Sequence, residues 1–140
     1  MTLNSSVISH CFLYAASNHP SDRAKADVGL HLLGTVNFGV PLQVMQEFFH
    51  NARIKARLAI EADHCDRIVE ALLQRPVVAM DIELFADARR LCRRYRITYW
   101  DAAIVAATGR LKAPVLYSED LNDGQDYDGV RVVNPFKGLD

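Results

Sequence analysis

Three acidic residues stand at places where predicted helices and strands could bring their side chains together. Asp101 lies at the start of one predicted helix, Asp120 lies just beyond a predicted strand, and Glu47 interrupts a helical stretch that is otherwise strongly apolar. Magnesium and manganese prefer oxygen ligands and keep several of their waters. Three carboxylates that meet in one cleft would therefore suit a hard divalent cation.

Each of these acids also has an ordinary structural role open to it. Asp101 is three residues after the capping residue Thr98, where a negative charge stabilises a helix by about 0.3–1 kcal/mol. A half-buried carboxylate such as Glu47 needs a cation, a hydrogen-bond donor or a proton, and an ion pair would satisfy it. Asp120 and Glu119 lie in a turn where acids are common for local hydrogen-bonding reasons. The residue types alone leave both interpretations open.

The elements that must position these acids alternate along the chain. Strands are predicted at residues 7–13, 36–40, 77–80, 114–117 and 130–133, the first running into a helix or turn. Helices are predicted at residues 21–33, 41–57, 61–73, from 81 to about 95, and 98–111, with Gly34 ending the first. Such alternation predicts an α/β fold with a mostly parallel sheet covered on both faces. Ligands bind beyond the carboxyl ends of such strands, which is where Asp120 stands.

Length and composition are those of a single soluble domain. The chain has 140 residues, of which 50% are hydrophobic and 24% charged, so it is long enough to bury a core. It has no run of 18 apolar residues and no secretory signal, so we expect no transmembrane helix and a cytoplasmic location. Its three cysteines are widely spaced and fit neither a disulfide framework nor a zinc site.

Charge is unevenly distributed although the net charge is only −1. Residues 53–112 carry twelve Lys and Arg against eight Asp and Glu, whereas residues 118–140 carry six acids against two bases. A basic middle beside an acidic segment is compatible with a phosphate-binding surface that flanks a carboxylate pocket. The arginines of residues 89–96 are a weaker indication of RNA binding, because such a run is usually a solvated helix face.

The sequences around the three acids resemble those of the PIN-domain ribonucleases, in particular the small bacterial, VapC-type toxins. That family has a central Glu in a Gln-x-x-Gln-Glu-Phe-like helix, a Tyr-Trp-Asp-Ala helix start and a Ser-Glu-Asp-Leu turn. This chain carries them at residues 43–48, 99–102 and 118–121. The resemblance implies a PIN-like three-layer sandwich over residues 1–140, with a central sheet of about four to five strands. It also implies that Glu47, Asp101 and Asp120 are catalytic and hold Mg²⁺ or Mn²⁺, with Ser118 in support.

The first acid of the family pattern is missing. Family members open with Asp-Thr-Asn after the first strand, and that Asp is a principal metal ligand. The longer, ungapped match sets Ile8, Ser9 and His10 against this motif, so that Ser9 and His10 become possible supporting residues. A second register sets Asn4 in the place of the Asp, but requires about four extra residues before the next helix. Both registers leave three acids where the family has four.

The resemblance implies a function, with alternatives. It points to a metal-dependent endoribonuclease that hydrolyses RNA phosphodiesters as the toxin of a toxin–antitoxin pair, weakened by the lost acid. Its partners would be the RNA substrate, an antitoxin protein and a second copy of the chain in a homodimer. The alternative is a catalytically inactive PIN-fold module that binds RNA or protein. A different phosphohydrolase lacks support, because no phosphate-binding glycine loop is present.

Overall fold

A computed structural model describes the backbone of residues 5–7, 9–55 and 59–139, with side chains from residue 13 onward. Six short strands of the described chain form one sheet in the order β3-β2-β1-β4-β6-β5. They are β1 (Ser5–Val7), β2 (Phe38–Pro41), β3 (Val77–Val78), β4 (Val115–Tyr117), β5 (Asp126–Tyr127) and β6 (Val130–Val133). All neighbours pair in parallel except β5 and β6, which are antiparallel. The mixed α/β fold predicted from the alternating pattern is confirmed.

The helices divide into two groups. They are α1 (Ser9–Ala16), α2 (Arg23–Thr35), α3 (Leu42–Ile54), α4 (Ala62–Leu73), α5 (Ile82–Tyr95) and α6 (Tyr99–Arg110). The chain steps from β1 to β2 to β3 in one direction and then returns past β1 to β4. Right-handed crossovers therefore place α1 to α4 on one face of the sheet and α5 with α6 on the other. The packing agrees, since α1 contacts α2 and α3, α3 contacts α4, and α5 contacts α6.

Helix α6 is the structural centre of the second face. Its residues 102–108 are all buried, and it packs against α5 and against β2, β4 and β6. Four of these seven residues are alanines, which let the sheet and α5 approach the helix closely. The buried Thr108 hydroxyl donates to the Ile104 carbonyl at 2.8 Å. Because α6 is enclosed in this way, the position of its first turn is firmly set.

Local capping explains where α5 and α6 begin. The Asp81 carboxylate accepts a hydrogen bond from the Leu84 N–H at 2.8 Å, and the Thr98 hydroxyl accepts one from the Asp101 N–H at 3.1 Å. These bonds satisfy donors that a helix start leaves unpaired. Both caps were predicted from the sequence and are confirmed. Within the described residues, no helix is long and apolar enough to cross a membrane.

The structure corrects three predictions about the elements. Residues 9–13, predicted as strand, form the first turns of α1, in which Leu13 and Ala16 are buried. Helix α2 continues through Gly34 and ends at Thr35, whose hydroxyl donates to the His31 carbonyl at 2.7 Å. Helix α3 ends at Ile54 instead of continuing to residue 57, which lies outside the described residues. Burial of Leu13 and Ala16 explains the first difference, and the hydrogen bond of Thr35 accompanies the second.

Strand β5 was not predicted at all. It forms a hairpin with β6, and the two turn residues, Asp128 and Gly129, have φ angles of 52° and 96°. Left-handed pairs of this kind are typical of tight hairpin turns, for which Asp-Gly is a preferred sequence. The Asp128 carboxylate accepts hydrogen bonds from the Tyr95 hydroxyl at 2.6 Å and from Arg90 at 2.7 Å. These bonds lower the pKa of Asp128 and fasten the hairpin to α5.

Candidate functional site

Glu47, Asp101 and Asp120 line one cleft, although they come from α3, α6 and the turn after β4. The cleft has a volume of about 150 Å³. Its other lining residues are Gln43, Trp100, Ile104, Leu116, Ser118 and Leu121. None of the described residues that line it is Lys, Arg or His, so the three carboxylates meet without a basic side chain among them.

Asp101 is half-buried in the first turn of α6. Burial raises the pKa of its carboxyl, the bond with Thr98 opposes that rise, and the negative charges of Asp120 and Glu47 add to it. An acid that is buried and also repelled by two neighbouring acids is stabilised by a proton or by a cation. The electrostatics therefore link all three acids through Asp101.

Glu47 is half-buried on α3, whose neighbouring residues Val44, Met45 and Phe48 are buried in the core. Its carboxylate accepts a hydrogen bond from the Gln43 side chain at 2.9 Å, one turn earlier on the same helix face. The Gln43 amide also donates to the Trp100 carbonyl at 3.4 Å. Gln43 thus connects the helix that carries Glu47 to the start of the helix that carries Asp101.

Asp120 is the exposed member of the three. Its N–H donates to the hydroxyl of Ser118 at 3.1 Å, which closes a tight turn directly after β4. Ser118 is only 2% exposed, and its own N–H donates to the Val133 carbonyl at 3.0 Å. The buried serine therefore anchors the turn to β6 and directs Asp120 toward the cleft.

The other acids of this region make structural contacts. Glu119 does not line the cleft; it lies against Lys25 and Tyr14. Asp123 accepts a bond from the Asn134 N–H at 2.8 Å, and Asp126 accepts one from the Gly129 N–H at 2.7 Å. These two acids stabilise local backbone structure outside the cleft.

Some predicted positions lie outside the part of the chain that the structure describes. Asn4 and Ile8, the two candidates for the lost acid, are not described, and neither are the side chains of Ser9 and His10. Strand β1 ends at Val7, which pairs with Tyr117, one residue before Ser118. The choice between the two registers therefore stays open and is addressed by a substitution experiment below.

Sequence reasoning gave no role to two residues of the cleft. Gln43 precedes Glu47 by four residues, a spacing that places both on one helix face and would have identified it. The sequence indicated Trp100 only as a member of the Tyr-Trp-Asp-Ala motif. In the structure it is 66% exposed and lines the cleft. An exposed tryptophan beside three acids contributes little to the core and is available to a ligand.

The oxygen atoms that line the cleft are of the kind that bind a hard divalent cation. Carboxylate, amide and hydroxyl oxygens are the ligands that Mg²⁺ and Mn²⁺ prefer. The acids do not form a closed cage, however: in residues 13–55 and 59–139, no group of three or more His, Cys, Asp or Glu is spaced to hold a metal ion.

The fold is shared with solved structures. The structure of a toxin–antitoxin complex from Klebsiella pneumoniae contains a chain that is 15% identical, with a TM-score of 0.67, and the match covers 94% of this chain and 98% of that one. FitAcB from Neisseria gonorrhoeae contains a chain that is 12% identical, with a TM-score of 0.60 and coverage of 95% and 99%. No protein-family model and no curated protein sequence matches the chain. The similarity therefore lies in the fold, over nearly the full length of both neighbours.

Proposed function

We propose that this protein is a metal-dependent endoribonuclease, the toxin of a toxin–antitoxin pair. The observation that carries the proposal is the cleft, where Glu47, Asp101 and Asp120 meet with no basic side chain among the described lining residues. The resemblance of the three surrounding motifs to the PIN-domain ribonucleases supports it. The shared fold with a chain of a toxin–antitoxin complex supports the cellular role.

The residues of the cleft have different proposed roles. A bound Mg²⁺ or Mn²⁺ would polarise the scissile phosphate and stabilise charge on the leaving oxygen. Glu47, Asp101 and Asp120 would hold that ion, while Gln43 and Ser118 keep Glu47 and the Asp120 turn in place. The exposed indole of Trp100 offers a flat surface on which an unpaired base can stack. Single-stranded RNA is therefore the proposed substrate.

Metal binding and RNA cleavage test this proposal together. A protein that binds an ion only when folded is stabilised by it, by about 2.7 kcal/mol at a hundredfold excess over Kd. Mn²⁺ and Mg²⁺ should therefore raise the melting temperature of the wild type and support cleavage of a fluorogenic single-stranded RNA. Asp120→Asn should lose both effects, and Asp126→Asn, the same change outside the cleft, should keep them. Identical metal responses in the two variants would contradict the proposal.

A specific observation favours the alternative, an inactive binding module. The described acids form no ready cage for an ion, and the family's first acid is replaced in both sequence registers. Such a module would bind single-stranded RNA or a protein partner with an affinity that metal does not change. RNA binding measured in EDTA and in Mn²⁺, without any cleavage, would identify it.

We also propose that the chain forms a homodimer through an apolar surface made of Val77, Met80, Ile82 and Phe85. Their side chains are 36%, 48%, 86% and 48% exposed. Beside them lies a groove of about 270 Å³, whose lining is mostly apolar and includes Leu42. A two-fold interface brings the same surface of both copies together, and exposed apolar side chains beside an apolar groove suit such an interface.

Ile82→Glu is expected to produce a monomer, because it places a charge on the most exposed side chain of that apolar surface. Leu30→Glu is the matched control. Leu30 is 56% exposed on α2, which does not contribute to the proposed dimer interface. Sedimentation equilibrium measures the result. A wild type that is monomeric at tens of micromolar, or a dimer that survives the Ile82 change, would exclude this interface.

A further inference from the structure

A cluster of three polar side chains joins two helices to the turn that carries Asp120. The Lys25 ammonium on α2 lies 3.5 Å from the Glu119 carboxylate and 3.5 Å from the Tyr14 hydroxyl on α1. The Tyr14 hydroxyl donates to the same carboxylate at 3.4 Å. Each of the three side chains therefore contacts the other two.

Partial burial distinguishes this cluster from an ordinary surface ion pair. The side chains of Lys25 and Glu119 are each only 20% exposed. The Lys25 ammonium lies over the Tyr14 ring at 4.8 Å and near the Phe136 ring at 5.6 Å. Burial opposes the charged form of Lys25, but the Glu119 carboxylate and the Tyr14 phenol outweigh it and raise its pKa. Lys25 thus stays protonated throughout the physiological pH range.

The position of Glu119 in the chain connects the cluster to the cleft. Its neighbours are Ser118 and Asp120, which both line the cleft, whereas Glu119 does not. The turn thus presents Ser118 and Asp120 to the cleft, while Glu119 holds it from α1 and α2. Asp120 is exposed, and its N–H donates to the Ser118 hydroxyl. The contacts of Glu119 with Lys25 and Tyr14 add an anchor to this turn, beside the one that Ser118 makes to β6.

We propose that Lys25 is a positioning residue that, through Glu119 and Tyr14, fixes the Asp120 carboxylate in the cleft. This inference rests on the proposed function, because it assigns the cluster to the cation site of the same cleft. Lys25 itself touches neither the cation nor the RNA. Outer contacts that orient metal ligands typically change metal affinity by about 10–100-fold when they are removed.

Lys25→Met tests the assignment, because methionine keeps the length and apolar stem of lysine but removes its charge. We expect the Mn²⁺ dissociation constant to rise about tenfold and the N–H of Asp120 to exchange with solvent about tenfold faster. Lys25→Arg keeps the cation and should restore most of both. Lys137→Met is the matched control: it removes a different lysine–carboxylate pair, between Lys137 and Asp123 at 3.2 Å, outside the cleft.

Tyr14→Phe supplies a second variant that leaves the charge unchanged. It removes the hydroxyl contacts with Glu119 and Lys25 but keeps the edge-to-face contact with Phe136 at 5.1 Å. Like Lys25→Met, it should speed the hydrogen exchange of the Asp120 N–H, but by a smaller factor. Equal exchange at Asp120 in wild type, Lys25→Met and Lys137→Met would overturn the inference.

The two proposals fail in different ways. If the wild type binds no cation and cleaves no RNA, the proposed function fails, while amide exchange still reports whether Lys25 holds the Asp120 turn. If the wild type binds Mn²⁺ and cleaves RNA but Lys25→Met changes neither the dissociation constant nor the exchange, only the positioning role is overturned. A KM that changes without kcat would also count against it, because a displaced metal ligand lowers kcat.

Discussion

Asp101→Asn is expected to lower the kcat/KM of RNA cleavage by at least about 100-fold while the protein remains folded. Asparagine has nearly the shape of aspartate but lacks its charge, so the proposed cation site would lose one of its two half-buried carboxylates. The helix start survives because its cap is the Thr98 hydroxyl and its bond is made to the backbone N–H of residue 101. Cleavage kinetics with excess Mn²⁺ measure the effect, and circular dichroism checks the fold.

The same substitution has a predictable effect on stability. The folded-state pKa of Asp101 is raised by burial and by its acidic neighbours, so between its ordinary and its raised value the folded protein binds more protons than the unfolded chain. Its contribution to stability therefore falls as the pH rises through that range and stays unfavourable at neutral pH. Without metal, Asp101→Asn should gain stability relative to the wild type between pH 3 and pH 7. Urea unfolding at both pH values tests this sign, and a relative loss toward neutral pH would refute it.

Restoring the missing acid should have the second large effect, in the opposite direction. Ile8→Asp, in the longer sequence register, should tighten Mn²⁺ binding by about tenfold or more, since about 1.4 kcal/mol of added attraction is a factor of ten. RNA cleavage should increase in parallel. If position 8 lies in the cleft, the variant should lose stability in the absence of metal, because an unpaired carboxylate is costly to bury. Calorimetric titration, cleavage assays and thermal unfolding measure the three effects.

Asn4→Asp makes the same test for the second register, and Ile8→Asn is the neutral control for the first. A gain with Ile8→Asp alone would assign the lost ligand to position 8, and a gain with Asn4→Asp alone would assign it to position 4. If neither aspartate changes metal affinity or cleavage, the missing acid is not the whole defect. The inactive binding module would then be the better account of the protein.

Local signals in the sequence predicted much of the fold. The caps at Asp81 and Thr98 are bonds between a side chain and a backbone N–H three residues away, so neighbouring residues determine them. Strand β6 and helix α4 were predicted almost to the residue, because their apolar patterns match the period of the element that forms. Strand β5 was not predicted because it has only two residues, although the Asp-Gly sequence that follows it is typical of a hairpin turn.

The candidate site was predicted less completely. The cleft gathers Glu47, Asp101 and Asp120, which the motifs had singled out; their roles as ligands stay predictions. Nothing near Glu119 in the sequence indicates that Lys25 is its partner. Contacts between residues far apart in the chain depend on how helices pack, which local patterns do not encode. For the same reason the exposure of Trp100 could not be anticipated.

The strand order also determines which parts of the sheet and of the cleft can form first during synthesis. The central strand β1 can pair with β2 once the first 41 residues have been made, but β4, its other neighbour, begins only at Val115. Chains emerge from the ribosome N-terminus first, so a nascent protein that has reached β3 contains Glu47 but neither Asp101 nor Asp120. If the chain cleaves RNA as proposed above, it cannot do so before Asp120 has been made. The strand order therefore separates the start of folding from the start of activity.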